Sequence, residues 1–166
     1  MVMVMLLAGC GSGREHAVNS DSPLPAQVGF VDANRAPLRW EGRVARDEGQ
    51  PPRFAWPASG FRFRFRGTGV VARLEDGLGE DTIRDGDLLA VFVDDQPQAT
   101  IVVPAGLADV VIASDLANTD HWVRVLKRTE SEHGTVVLHA LELQGAGARF
   151  LAPPPERAHR LLAVGD

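Results

Sequence analysis

Tyrosine is missing from this 166-residue chain, and cysteine occurs once. One cysteine cannot form an internal disulfide framework or a cysteine-based zinc cluster. Basic residues are also short: 17 Lys and Arg face 22 Asp and Glu, for a net charge of -5. A nucleic-acid binder needs the opposite balance to meet phosphates. No stretch reaches the roughly 20 consecutive apolar residues that a membrane span requires. The five histidines stand at 16, 121, 133, 139 and 159, without ligand spacing to a carboxylate or cysteine, so neither a metal nor any other cofactor is expected. What is present is 45% hydrophobic residues and 23% charged, enough for one good core and too little for two large domains.

The two ends differ from the middle. Met1 to Gly9 is almost wholly apolar and runs into Leu7-Ala8-Gly9-Cys10, which resembles the lipobox of a bacterial lipoprotein. That resemblance implies lipidation of Cys10 and an extracytoplasmic, tethered protein whose only membrane contact is the lipid. Residues 11–37, rich in Gly, Ser, Asn, Asp and Pro, read as a flexible tether. A folded domain is expected over 38–145, a Pro-rich linker over 146–160, and a short apolar strand over 161–166 ending at Gly165-Asp166.

The middle is written in period two. Phe61-Arg62-Phe63-Arg64-Phe65-Arg66 puts three phenylalanines on one face and three arginines on the other, the pattern of a half-buried antiparallel strand. Further strands are expected at 70–74, 88–94, 99–103, 109–113, 121–127 and 135–143, separated by turn residues such as Asp94-Asp95-Gln96-Pro97 and Pro104-Ala105-Gly106. No window supports a long amphipathic helix. The expected fold is an all-β, antiparallel two-sheet β-sandwich of jelly-roll type.

Several residues invite a functional reading. Arg62, Arg64 and Arg66 make a basic stripe, but the phenylalanines face away from it and cannot stack bases there, so pairing with Glu75, Asp76, Glu80 or Asp81 is expected. Trp56 and Trp122 are glycan-binding candidates, because a planar ring stacks on the C–H face of a pyranose. Trp56 follows Phe54 at i+2, which favours a core or interdomain place for it, whereas the neighbours of Trp122 leave its face open. His121 is expected to make a structural hydrogen bond at the start of its strand. Lys127, Arg128 and Glu130 are expected to form an ion-pair cluster that holds the hairpin to Gly134, with contact to a neighbouring domain as the alternative.

Gly42-Arg43, the run Arg53 to Phe61, Phe65-Arg66-Gly67-Thr68, Val91-Phe92-Val93-Asp94 and the run His121 to Glu130 follow one another in order. Together they resemble the amino-terminal β-sandwich of carbohydrate esterase family 2, over about residues 38–166. The resemblance implies a non-catalytic accessory domain placed before an SGNH (GDSL-type) hydrolase domain that removes acetyl groups from plant polysaccharides such as xylan or glucomannan. Gly165-Asp166 matches the start of that domain's first block, whose serine would come directly after Asp166 and whose histidine would lie further on. No catalytic residue is therefore assigned in this chain, and the expected partners are the SGNH domain and acetylated xylan or glucomannan. The alternatives are a free-standing carbohydrate-binding module on a surface lipoprotein, and a purely structural surface protein; fold alone does not choose among them.

Overall fold

The structure, a computed structural model, describes residues 29–78 and 86–153. Its strands, in chain order, are β1 (Val31–Asp32), β2 (Arg39–Glu41), β3 (Arg53–Phe54), β4 (Gly60–Gly67), β5 (Gly69–Leu78), β6 (Leu88–Val93), β7 (Gln96–Pro97), β8 (Ile101–Val102), β9 (Gly106–Ala113), β10 (Thr119–Lys127), β11 (Gly134–Gln144) and β12 (Arg149–Phe150). Among the described residues the only helical element is a single 3-10 turn, Ser131–His133.

The strands form two antiparallel sheets. One runs β1-β11-β5-β9, with β3 also on β11; the other runs β12-β4-β10-β6-β7, with β2 on β4 and β8 on β6. The Phe-Arg alternation becomes β4, where Phe61, Phe63 and Phe65 have no exposed surface. They form an aromatic row through the core: Phe61 stacks on Phe63, and Phe150 meets Phe63 edge-on with ring centroids 5.7 Å apart. Leu74, Leu138 and Leu141 face them from the opposite sheet. Each such phenylalanine or leucine stabilises the fold by about 1.5–3 kcal/mol through burial alone.

The sandwich extends past both expected boundaries. Val31 pairs with Leu141 and Ala33 is buried, so the fold begins ahead of Leu38, inside the segment read as tether. At the other end Ala148 and Phe150 are core residues and Phe150 pairs with Phe65, so this part of the expected linker belongs to the sheet. Two-residue strands carry no periodicity, and both lie among turn residues. β5 continues to Leu78 rather than stopping at Leu74, because its next inward position, Asp76, is buried in a polar cluster. Among the described residues β9 is an edge strand, paired with β5 alone in its sheet, and it leaves Leu107 and Val111 more than half exposed.

Two of the three arginines on the outer face of β4, Arg62 and Arg66, are paired, with carboxylates other than those expected. Arg62 Nε lies 3.2 Å from Glu41 on β2, which also takes Arg124 of β10 at 2.6 Å, and Arg66 pairs with Asp120 at 2.7 Å. The partners lie on strands of the same sheet. Glu75 is in the opposite sheet and pairs with His139, Asp76 is buried, and Glu80 and Asp81 fall outside the described residues.

Candidate functional site

Inward positions of β10 follow the alternation His121, Val123, Val125, Lys127, which carries an ammonium group into the interior. Such a charge persists only if it is paired and hydrogen-bonded. Lys127 Nζ lies 2.7 Å from Asp87 Oδ1 and donates to Thr129 O, Thr129 Oγ1 and Glu130 O at 2.9–3.0 Å. The Thr129 hydroxyl in turn donates to Asp87 Oδ1. Asp76 Oδ2 accepts the Asp87 N–H at 2.8 Å. Lys127, Asp87 and Asp76 are all buried, so the end of β10, the segment before β6 and the last turns of β5 are fastened together. Burial first, then the charge of Asp87 and a side-chain hydrogen bond with it, lift the Asp76 pKa to about 6. Asp76 Oδ1 and Asp87 Oδ2 look toward Gly134: a Cβ there would stand 2.8 and 3.1 Å from them. Glycine at 134 is thus required by close approach. The expected cluster is real at Lys127 but mistaken at Glu130, which contributes its carbonyl, and at Arg128, whose guanidinium bonds Thr100 Oγ1 on another loop.

His121 makes the structural contacts expected of it. Nδ1 lies 2.7 Å from Asp94 Oδ2, and Nε2 lies 2.8 Å from Ala117 O and 3.3 Å from Thr119 Oγ1. A hydroxyl, an imidazole and a carboxylate in a row resemble a nucleophile-activating line. Here Nε2 faces a carbonyl and must keep its proton to donate, so it has no lone pair for the threonine. Burial lowers the His121 pKa, but the bonds to Ala117 O and Asp94 and the charges of Asp94 and Asp120 outweigh it, and the net shift is upward. The ring is a brace with a hydrogen-bond partner at each nitrogen, packed on Phe65 at 5.6 Å between centroids. Asp94 also accepts the Trp122 N–H at 2.9 Å, tying the β6–β7 turn to β10.

The two candidate tryptophans are far apart in setting. Trp56 lies past the end of β3, is 46% exposed and leaves the Phe54 face, so it is not a core residue. The chain turns there: Ala58 takes φ 58°, Ser59 N–H reaches Trp56 O, and Ala58 N–H bonds Lys127 O. Arg43 lies over the Trp56 ring, its guanidinium carbon 4.7 Å from the centroid. The backbone beneath the pair is held by Ser59, whose buried hydroxyl accepts the main-chain N–H of Arg43 at 2.8 Å. Gly42 makes that contact possible, since its φ is +69° and a Cβ would come within 2.6 Å of Ser59 Oγ. Trp122 is half-buried on the outer face of β10, across from Arg64. Lys127, whose carbonyl accepts the Ala58 N–H near Trp56, stands five positions along β10 from Trp122, about 17 Å at the usual rise, so the two rings do not build one surface. Arg43 was not singled out from sequence, although it stood in a segment that carried the resemblance. Cys10, His16, His159, Gly165 and Asp166 lie outside the described residues. Among those described, no three His, Cys, Asp or Glu side chains are grouped to hold a metal ion.

The family described as Carbohydrate esterase 2 N-terminal matches residues 40–155, from Trp40 of β2 to beyond β12. An acetylxylan esterase / glucomannan deacetylase of Cellvibrio japonicus is 24% identical over 163 residues, covering 98% of this chain and 43% of that protein. The cellulase/esterase CelE of Acetivibrio thermocellus is 27% identical over 135 residues, covering 81% of this chain and 16% of that protein. The chain thus spans less than half the length of either. The structure of a family two carbohydrate esterase from Clostridium thermocellum, solved with cellohexaose, superposes with a TM-score of 0.61 at 25% identity, over 71% of this chain and 34% of the other. The family match spans the clamp at Lys127, the His121 brace and the Arg43–Trp56 pair alike, and this chain belongs to the carbohydrate esterase 2 N-terminal family.

Proposed function

We propose that this sandwich is the non-catalytic accessory domain of a carbohydrate acetylesterase acting on acetylated plant polysaccharide. The observation that carries the reading is the family match over residues 40–155, joined to relatives of which this chain covers only a minor share. In the proposed whole protein, an SGNH (GDSL-type) domain follows the sandwich, with Gly165-Asp166 as the opening of its first block. It cleaves the acetyl ester through a serine acyl-enzyme, with backbone donors holding the oxyanion. The sandwich is the rigid body on which that domain sits. The polymer it serves is acetylated xylan or glucomannan, and the protein works outside the cytoplasm, anchored by lipid on Cys10.

The chemistry of the described residues supports an accessory role. Ser59 is buried and accepts a backbone N–H, and both ring nitrogens of His121 are engaged, by Asp94 and by Ala117 O. The test measures release of acetate from p-nitrophenyl acetate and from acetylated xylan, by this chain alone and by the product of the full coding sequence. Turnover by the longer protein and none by this chain is the expected result. Turnover by this chain that survives replacement of Cys10 and of each histidine would overturn the reading.

A further inference from the structure

Beside Trp56 lies a groove of about 370 Å³, lined among others by Arg43, Ala45, Arg53, Trp56 and Thr135. The loop that forms its rim closes through Ala45 and Arg53, whose N–H and C=O groups bond each other at 2.9 and 3.1 Å. The charges around this loop are unequal in what they meet. Arg53 is neutralised by Asp47 at 2.6 Å. Arg43 and Arg46 instead lie over aromatic rings, Trp56 and Trp40, and among the described residues neither forms an ion pair.

We infer that the Arg43–Trp56 groove is a binding site for a saccharide unit that carries a carboxylate. The Arg43 guanidinium over its ring has, among the described residues, no carboxylate to neutralise it, and its five N–H donors form the fork that fits one. The Ser59 bond fixes the Arg43 backbone and the ring contact restrains its guanidinium before any ligand arrives, which lowers the ordering cost of binding. The half-exposed indole of Trp56 offers apolar surface to the C–H face of a pyranose, and the Thr135 hydroxyl on the wall offers a hydrogen bond to a sugar hydroxyl. The aromatic floor alone would take any sugar; the arginine selects an acidic one. That the ligand is a saccharide, rather than another carboxylate, rests on the accessory role proposed above.

The test is isothermal titration of the full chain with an aldouronic acid, a xylo-oligosaccharide bearing one glucuronic acid branch, and with the same oligosaccharide unbranched. The expected result is binding of the acidic sugar at least about tenfold tighter than the neutral one, weakening as salt is raised. Arg43→Gln should abolish the preference and leave weak binding of both, and Trp56→Ala should remove both. Both side chains are exposed, so the variants should keep their melting temperature, which is checked in parallel. Absence of binding at millimolar sugar, equal binding of the two sugars, or a preference that survives Arg43→Gln would each overturn the inference. None of these outcomes bears on the accessory role, which is decided by the esterase assay.

Discussion

Lys127 Nζ stands 2.7 Å from Asp87 Oδ1, and neither side chain has any exposed surface. Desolvating both charges offsets much of their attraction, so the pair matters less as a source of stability than as a fastening that cannot be half removed. Lys127→Met leaves the Asp87 carboxylate buried and uncompensated. A loss of about 3–5 kcal/mol is expected in urea unfolding. Glu130→Gln should change stability by less than about 0.5 kcal/mol, because only the backbone carbonyl of residue 130 is used. Equal losses in the two variants would mean that the ammonium is not the centre of the cluster.

Stability should fall as pH rises from about 4 to about 6. Asp76 has its pKa raised from 3.8 to about 6 in the fold, so the folded state holds that proton more tightly than the unfolded chain does. Its contribution is therefore complete below the unfolded value and is lost as pH passes the folded one. His121 acts in the same direction further up: its pKa is raised above 6.5, so its contribution is intact below that value and declines as pH climbs through the folded pKa. Urea midpoints measured across this range test the slope. Asp76→Asn should flatten the part between 4 and 6 and raise stability at neutral pH, since the amide can donate to Asp87 as the protonated acid does. A slope unchanged in that variant would assign the pH dependence elsewhere.

The β6–β7 turn carries two aspartates in the left-handed region, Asp94 at φ 51° and Asp95 at φ 63°. Asp94 is retained by its bonds to His121 and the Trp122 N–H, whereas Asp95 is exposed. Asp95→Gly should stabilise the sandwich by about 0.5–1 kcal/mol, as the glycine removes the left-handed penalty. A melting curve shifted downward would count against this account of the turn.

Gly42→Ala should cost about 1–2 kcal/mol from the positive φ alone. The added methyl also meets Ser59 Oγ and Cα within 2.8 Å, so the bond that positions Arg43 must lengthen. Quenching or a spectral shift of tryptophan fluorescence, compared between Gly42→Ala and Arg43→Gln, reports whether the cation leaves the Trp56 ring in both.

The parts of the fold legible in sequence were those with enough residues to show a period. β4, β10 and β11 are long and stand where strands were expected, β4 with an unbroken alternation and β11 with one bulge between Leu138 and Ala140. β1 and β12 are two residues each and are defined only by the strands they join. The site divides in the same way. Lys127 and His121 stood out as polar residues in an apolar alternation, yet their partners Asp87 and Asp94 lie far away in sequence. For Trp56, the period-two reading continued a strand that stops at Phe54, where the chain swings outward through Pro57 and the left-handed Ala58.

The pairing of Val31 with Leu141 has a consequence for how the protein is made. The first strand of its sheet waits for one of the last, and the aromatic row is not complete until Phe150 is in place. In a nascent chain emerging from the ribosome or a translocation channel, that sheet and the aromatic row close only after most of the described residues have emerged. Its folding falls in the slow class of β topologies, and until β12 has emerged the apolar faces stay open to chaperones and to aggregation alike.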